Sequence, residues 1–272
     1  MKDIRETQVP QNNEDRLQRE RSHFNVVAQK TSLSTSLKMP VDNILRYSSP
    51  PENTPYALEY AFSLLGHLKD QRVLALGCGD GLDVVILASL GARVVAIDIS
   101  DESIALAAER AKANGVLSRI EFFNCDAAAL SAVPNDSIDK ALCAAIFHHI
   151  DIAGASRELR RVLKPGGEVV CLEPLEVPDL WKPLRRALPR AAGISEDERP
   201  LTMKDVTLIN DTIGRGSSAR RFGLTFRFVQ WLGRSNSKGL TQISHQFDAW
   251  IIRHSSVLSS LASPLVWKVT RQ

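Results

Sequence analysis

Apolar and polar residues alternate in blocks along the middle of the chain. The apolar runs RVLALG, RVVAID, RIEFFN, DKALCAAIF and EVVCLE predict five strands between residues 72 and 173. Between them, GLDVVILASLG, DESIALAAERAKANG and GASRELRRVL have the periodicity and composition of helices. Nearly continuous apolar strands that alternate with helices are typical of a parallel sheet covered on both faces. The pattern therefore predicts a doubly wound α/β domain.

The sequence after this block gives a weaker pattern, because prolines interrupt it. Helices are predicted around TMKDVTLINDTI and QFDAWIIRHSSVLSSL, and two further strands in ARRFGLTFRFV and LVWKVT. The complete prediction is a Rossmann-like, seven-stranded, mostly parallel sheet with helices on both faces and a C-terminal antiparallel strand.

The pattern of apolar and polar residues also divides the chain into regions. Residues 1–19 are polar without periodicity, which predicts a disordered tail. Residues 20–272 are expected to be a single domain. Its expected parts are N-terminal cover helices at 20–71, a cofactor-binding core at 72–173, and a substrate-facing insertion with C-terminal elements at 174–262.

Composition limits the classes of function. The 34 Lys and Arg residues nearly balance 31 Asp and Glu, and the net charge of +3 argues against a basic nucleic-acid surface. No apolar run approaches the roughly 20 residues needed to span a bilayer. The four cysteines have no CxxC or zinc-ligand spacing, and the N-terminus does not resemble a secretory signal. We expect reduced thiols, no metal-ligating residues and a cytoplasmic protein, and the sequence leaves open whether a metal assists.

The segment VLALGCGDG places a glycine turn directly after the first predicted strand. Glycine permits positive φ and lets a ligand approach backbone N–H groups at the start of the next helix. The dinucleotide fingerprint GxGxxG needs its third glycine where this chain has Leu82. Dinucleotides and S-adenosylmethionine are the two ligand classes that use such a turn. The glycine spacing argues against a dinucleotide such as NAD. Asp98, which closes the second strand, suits the ribose hydroxyls of either.

Five segments in register carry a resemblance to a known family. In order, they are VLALGCGDG, VVAIDIS, EFFNCDAAAL, SIDKALCAAIFHHI and ELRRVLKPGGEVVCLEP. They are similar in sequence and spacing to the motifs of class I S-adenosylmethionine-dependent methyltransferases. The resemblance runs from about residue 20 to 173, and ERSHFNVVAQ is similar to the family's cover helix. It implies S-adenosylmethionine as cofactor and methyl transfer to oxygen, nitrogen or carbon of a small metabolite.

The resemblance also implies particular cofactor contacts. The residues expected near the methionine part are Arg46, Tyr47, Gly77, Cys78, Gly79 and Gly81. Those expected near the ribose, the adenine and the sulfonium are Asp98, Ile99, Asp126, Ala127 and Ala144. Ala75 departs from the family, which usually has an acid there to orient the cofactor's amino group. Asp80 and Asp83 are the candidates to replace that charge.

The candidate catalytic residues follow the fourth and fifth strands. His148 and His149 come after strand four, and histidine accepts protons near neutral pH. Glu173 ends strand five, where it would act as a base if desolvation raised its pKa, or would anchor a cationic acceptor. Catalysis by positioning alone is the alternative to all three.

The acceptor is expected to be a small molecule. The segment AIFHHI lacks the Asn or Asp with paired prolines that base-modifying members of the family carry. A lipophilic acceptor, with an acidic or phosphate group as one option, would suit the aromatic and basic residues Phe222, Phe226, Phe228, Trp231, Arg185, Arg186, Arg220 and Arg221. The competing interpretations are a catalytically silent scaffold and an NAD(P)-dependent oxidoreductase, and the sequence leaves the oligomeric state open.

Overall fold

The computed structural model of the protein describes residues 10–34, 36–176, 199–225, 229 and 238–272. The strands are β1 (Arg72–Leu76), β2 (Arg93–Asp98), β3 (Ile120–Asn124), β4 (Ile138–Ala144), β5 (Leu163–Glu173), β6 (Gly214–Arg221) and β7 (Leu265–Arg271). The helices in these ranges are α1 (Pro10–Ser34), α2 (Val41–Leu45), α3 (Ala57–Leu65), α4 (Leu82–Ser89), α5 (Asp101–Ala113), α6 (Ile152–Val162), α7 (Met203–Ile213), α8 (Lys238–His254) and α9 (Ser256–Leu261).

The seven strands form one sheet in the order β3-β2-β1-β4-β5-β7-β6. Strands β1 to β5 are parallel, and β7 runs antiparallel to β5 and β6. This confirms the predicted mostly parallel sheet with a C-terminal antiparallel strand. Strand order reverses beside β1, so the carboxyl ends of β1, β2 and β4 meet at the point where doubly wound folds bind ligands.

Both faces of the sheet are covered, which explains why the strands are apolar throughout. In β1, Leu74 and Leu76 point into the core beneath α6 and α7, whereas Val73 and Ala75 point into the core beneath α3, α4 and α5. Successive side chains of a strand point to opposite faces, so a strand buried on both sides needs apolar residues at every position.

Helix α1 begins at Pro10, which corrects the predicted disordered tail for residues 10–19. The polar side chains of α1 bind the folded domain: Arg16 donates to the carbonyl of His149 at 2.6 Å, and Arg21 donates to the carbonyl of Ile99 at 3.1 Å. Tertiary contacts therefore stabilise a helix whose sequence has no apolar periodicity. Residues 1–9 lie outside the described residues.

Several expectations after β5 also fall outside the described residues: those on residues 177–198, which include Arg185 and Arg186, and those on Phe226, Phe228 and Trp231. The described residues Phe222, Arg220 and Arg221 lie at the end of β6. Among the helices of the described ranges, none has the length and apolar content to cross a membrane.

Candidate active site at the carboxyl edge of the sheet

The strand register brings the predicted site residues to one level of the sheet. Leu76 of β1 is paired with Ile97 of β2 on one side and with Cys143 of β4 on the other. Each is followed by one of the predicted cofactor contacts, namely Gly77, Asp98 and Ala144. The three strands therefore end together around the glycine turn.

The three glycines of the turn have φ angles of 73°, 48° and 80° at Gly77, Gly79 and Gly81. A Cβ at Gly77 would lie 2.7 Å from the Ile146 side chain, and one at Gly81 would lie 2.6 Å from the backbone of Ala107. A Cβ at Gly79 would meet nothing within 4 Å. The first and third glycines thus allow close packing of the turn, and the second faces the open space that a ligand would need.

Replacing Gly81 with Ala is expected to lower the free energy of unfolding by about 2–4 kcal/mol, because it adds a backbone overlap to the strain of positive φ. Gly79→Ala is the matched control: it has the same strain but no overlap, and should cost about 1 kcal/mol. Urea unfolding of both variants measures the difference. Equal losses would show that the packing of Gly81 against Ala107 does not matter.

Asp98 ties the glycine turn to the end of β2. Its Oδ2 accepts the N–H of Gly79 at 2.8 Å, and its Oδ1 accepts the N–H of Ser100 at 2.9 Å. Burial raises the pKa of Asp98, and the backbone hydrogen bonds oppose that rise. A carboxylate held in this way has lone pairs left on both oxygens, which suit a pair of vicinal hydroxyls.

The other predicted adenine-side residues follow β2 and β3. The carbonyl of Ile99 accepts hydrogen bonds from Asn124 and from Arg21 of α1. Asp126 accepts the N–H of Ala128 at 3.1 Å and so shapes the turn after β3, with Ala127 buried beside it. These contacts fix the backbone on the β3 side of the glycine turn.

Cys78, inside the turn, is buried, and burial, followed by the charge of Asp98, raises the pKa of its thiol well above the ordinary value. The thiol is therefore kept neutral. Cys78 donates its backbone N–H to the carbonyl of Ile97 at 2.8 Å. Its contribution to the site is backbone geometry.

Helix α1 crosses the sheet edge above the turn. One stripe of the helix, at four-residue spacing, contacts the end of β4 through Arg16, Glu20 and Phe24. The next stripe contacts the start of α5 through Arg21, Asn25 and Gln29. Because β1 lies between β2 and β4, a helix that binds the ends of both covers the glycine turn. Sequence reasoning missed Arg16, Glu20, Arg21 and Asn25, since polar residues at helical spacing normally indicate a solvated face.

Glu173 and His148 form a buried pair after β4 and β5. The Glu173 side chain has no exposed surface, and its Oε2 lies 2.7 Å from Nδ1 of His148. Its Oε1 accepts the backbone N–H groups of Ile146 at 2.7 Å and Phe147 at 2.8 Å. With three donors around its two oxygens, Glu173 fixes the loop after β4 and the His148 ring. Its carboxylate requires Nδ1 of His148 to carry the proton, which leaves Nε2 as the basic nitrogen.

His149 lies against its neighbour and against α1. The two histidine ring centroids are 4.0 Å apart, and Nδ1 of His149 is 3.2 Å from Oε2 of Glu20. Phe24 packs edge-on against the His149 ring. A cleft of about 220 Å³ opens beside both histidines and includes Arg16 and Arg199 in its walls. His149 therefore belongs to the contact between the cover helix and the β4 end.

Ala145 is a site feature that the sequence does not signal. It has a φ of 56°, which is rare for a residue with a side chain, and it immediately follows β4. Its N–H donates to the carbonyl of Leu172 at 2.8 Å, which holds the strained conformation. Backbone strain of this kind is concentrated at ligand-binding edges.

Arg46 and Tyr47 lie in a polar cluster on the α2–α3 side. Nε of Arg46 donates to Glu59 at 2.7 Å, and the guanidinium stacks on the rings of Tyr47 and Tyr56 at 5.4 and 5.1 Å. Glu59 also accepts from Thr54. The charge of Arg46 is thus already balanced within the protein, and its expected contact with a carboxylate stays a prediction.

Of the two acids proposed to replace the one missing at Ala75, Asp80 is engaged and Asp83 is available. Asp80 pairs at 3.0 Å with Arg110, whose side chain is buried. Asp83, in the first turn of α4, has no hydrogen-bond or ion-pair partner among the described residues. Burial, followed by the charge of Asp80, raises the pKa of Asp83 to about 6.

Because the pKa of Asp83 is higher in the folded than in the unfolded chain, its ionisation opposes folding. The free energy of unfolding therefore falls as pH rises from about 4 to 6, and this loss of stability is complete above that range. Asp83→Asn should therefore raise the free energy of unfolding by about 1–2 kcal/mol at pH 8 and have little effect at pH 4. Urea unfolding at both pH values tests this, with Asp101→Asn, which changes an exposed carboxylate, as control. A gain of equal size at both pH values would contradict it.

The part of the chain that contains this site is similar to a known protein family. Residues 74–171 match the family described as "Methyltransferase domain". This part of the chain is therefore similar to methyltransferase domains. The matched region contains the glycine turn, Asp98 and both histidines of the candidate active site, and Glu173 follows it by two residues.

Curated relatives are similar to less than half of the chain. A ubiquinone biosynthesis O-methyltransferase of Alkalilimnicola ehrlichii is 31% identical over 117 residues, which is 43% of this chain and 47% of the relative. The protein of the same name from Xanthomonas euvesicatoria pv. vesicatoria is 34% identical over 116 residues, or 42% and 47% of the two chains. The alignments span less than half the length of these relatives.

Solved structures share the fold at low sequence identity. Geranyl diphosphate C-methyltransferase from Streptomyces coelicolor A3(2) is 14% identical, with a TM-score of 0.58 over 83% of this chain and 87% of that one. The [4+2]-cyclase SpnF is 19% identical, with a TM-score of 0.52 over 75% of each chain. At this distance the similarity extends to the fold, which hosts more than one chemistry.

Proposed function

We propose that the protein is an S-adenosylmethionine-dependent methyltransferase that methylates an oxygen of a small, lipophilic metabolite. The observation that carries the proposal is the His148–Glu173 pair, which stands beside the glycine turn at the edge where β1, β2 and β4 end. Ile146 connects the two parts, since it packs against Gly77 and donates its N–H to Glu173. The names of the curated relatives support oxygen over nitrogen or carbon as the attacked atom.

The residues around the turn fit the proposed cofactor. Asp98 would accept hydrogen bonds from the ribose hydroxyls, and the open side of Gly79 would admit the chain that links ribose and methionine. Asp83 would bind the ammonium group of the cofactor in place of the acid that the family usually has at position 75. Its carboxylate is available because it has no partner among the described residues. A cation beside Asp83 would also relieve the cost of ionising it.

The chemistry requires alignment and removal of one proton. S-adenosylmethionine supplies, when bound, an activated methyl group for in-line displacement. His148 accepts the proton of the acceptor hydroxyl at Nε2, and Glu173 holds Nδ1–H so that the ring presents that nitrogen. Glu173 is a positioning residue in this scheme, since its carboxylate is buried and bonded within the protein.

The cover helix completes the site. Arg16, Glu20 and Phe24 hold α1 against the β4 end, which excludes water from the space above the turn. The cleft beside His148 and His149 would be the route by which the acceptor enters. Four free cysteines, three of them buried, are consistent with the reduced, cytoplasmic location that we also propose.

Calorimetric titration of the purified chain tests the proposed cofactor. S-adenosylmethionine and its demethylated product are expected to bind, and NADH is not. Binding of NADH in place of S-adenosylmethionine would support the oxidoreductase alternative. Binding of none of the three to the folded protein would reject the proposal and favour the scaffold.

A further inference from the structure

Helix α8 has an unusual distribution of side chains. Three of its large apolar residues face solvent: Ile243 is 64% exposed, Phe247 49% and Trp250 59%. Leu240, Ile251 and Ile252 are half-buried. Its small polar residues face the protein, where Ser244 and Asp248 are buried. A helix packed on a globular domain normally shows the opposite arrangement.

The exposed residues form a continuous patch. Ile243, Phe247 and Trp250 recur at helical spacing, and the rings of Phe247 and Trp250 stack with centroids 6.1 Å apart. Val257, in the first turn of the next helix α9, is also exposed, at 63%. We call these four residues the α8 stripe. Single exposed apolar residues are common, but a contiguous aromatic patch of this kind indicates an interaction surface.

The inward face of α8 is fixed to the domain by specific contacts. Asp248 accepts the N–H of Thr225 at 2.5 Å, and the ring of His245 packs on that of Tyr56 with centroids 4.9 Å apart. The exposure of the α8 stripe is therefore set by the orientation of the helix, because the opposite face makes these bonds.

The exposed charge on the described part of α8 is positive. Asp248 is the only acidic residue between positions 238 and 272, and it is buried. Arg253 lies exposed on α8. The pKa of Arg220 is lowered mainly by burial and also by the charge of Arg253, so the two guanidinium groups lie near each other. No carboxylate of the described residues pairs with Arg220, which stacks on the rings of Tyr60 and Phe222. Arg220 also donates to the carbonyl of the exposed Glu52 at 3.1 Å. The described part of α8 itself has exposed Trp and Phe, Arg253 and no exposed acid, which is complementary to anionic lipid head groups.

The α8 stripe lies on the side of the molecule where the candidate active site opens. Leu265 of β7 is paired with Glu173 on one side and with Arg221 on the other, so β6 ends at the level of the His148–Glu173 pair. Arg220 and Thr225, which contact or approach α8, belong to this end of β6.

We propose that the α8 stripe docks on the surface of an anionic lipid bilayer, with α8 lying in the plane of the head groups. Trp250 and Phe247 enter the boundary between head groups and acyl chains, and Arg253 stays among the phosphates. Docking turns the carboxyl edge of the sheet towards the membrane. The delivery of a lipophilic acceptor from the bilayer rests on the proposed function, whereas docking itself does not.

Co-sedimentation of the full chain with vesicles tests the proposal. Vesicles of phosphatidylglycerol and phosphatidylcholine are expected to bind the protein about tenfold more tightly than phosphatidylcholine alone. The triple variant Ile243→Ser, Phe247→Ser, Trp250→Ser should lose about 100-fold in affinity. Leu33→Ser with Leu117→Ser, which removes exposed apolar residues elsewhere, is the matched control and should bind as the native chain does.

Three results would overturn docking: no sedimentation of the native chain, equal sedimentation of the triple variant, or a native dimer that the triple variant dissociates, since a second copy would then cover the stripe. Calorimetry of S-adenosylmethionine binding by the same variants separates the two proposals. A triple variant that binds cofactor but not vesicles supports docking, and a native chain that binds vesicles but not cofactor leaves docking intact while rejecting the methyltransferase.

Discussion

Asp98→Ala is expected to weaken S-adenosylmethionine binding by about 100-fold or more. The substitution removes the proposed acceptor for both ribose hydroxyls and also frees the N–H groups of Gly79 and Ser100, which Asp98 now binds. The glycine turn would then lose its connection to the end of β2. Calorimetry measures the loss of affinity, and thermal unfolding measures the loss of stability separately.

Two further variants make the Asp98 result specific. Asp98→Asn keeps the shape of the side chain but replaces one acceptor with a donor, so it should bind the cofactor more weakly than the native chain. Asp101→Ala removes an exposed carboxylate three residues away and should bind normally. A folded Asp98→Ala protein with native affinity would show that Asp98 does not hold the ribose.

Glu173→Ala is expected to lower the free energy of unfolding by about 3–5 kcal/mol. It leaves the N–H groups of Ile146 and Phe147 and the His148 ring without their buried acceptor. Glu173→Gln should cost less, about 1–2 kcal/mol, because the amide oxygen still accepts from the backbone. Urea unfolding gives both values, with the exposed Glu176→Gln as control.

The Gln variant also tests the proposed role of Glu173 as a positioning residue. Its amide N–H₂ would face Nδ1 of His148 and so favour the ring tautomer with the proton on Nε2. Nitrogen NMR of His148 should therefore show Nδ1–H in the native protein and Nε2–H in Glu173→Gln. Methyl transfer should fall by about 100-fold in the variant, because Nε2 no longer accepts a proton. An unchanged tautomer would contradict the positioning role.

The sequence was sufficient for the features that depend on neighbouring residues. The cap of α5 is an example, since Ser100 accepts the N–H of Ser103 at 3.0 Å as its place before the helix predicts. The glycine turn is another, because its three positive φ angles follow from the residue type. The parallel direction of β1 to β5 also followed from the alternation of strands and helices.

The sequence did not predict the contacts between residues that are far apart along the chain. Arg16 and His149 are 133 positions apart, and the resemblance that predicts a cover helix does not identify Arg16 as one of the residues that hold it. Glu173 was expected as a base or an anchor, but the choice depended on whether its oxygens meet solvent or protein donors. The availability of Asp83 likewise depended on Arg110, 30 residues from Asp80, binding the other acid.

By itself, the sequence determined the doubly wound sheet, the position of the glycine turn and the set of residues at its edge, because apolar periodicity and glycine spacing are local properties. The tertiary structure alone decided which side chains hold α1 at the sheet edge, that Glu173 orients His148, and that α8 presents Ile243, Phe247 and Trp250 to solvent. Each of these depends on which donor meets which acceptor across the fold, and on the helix face that those bonds turn inward.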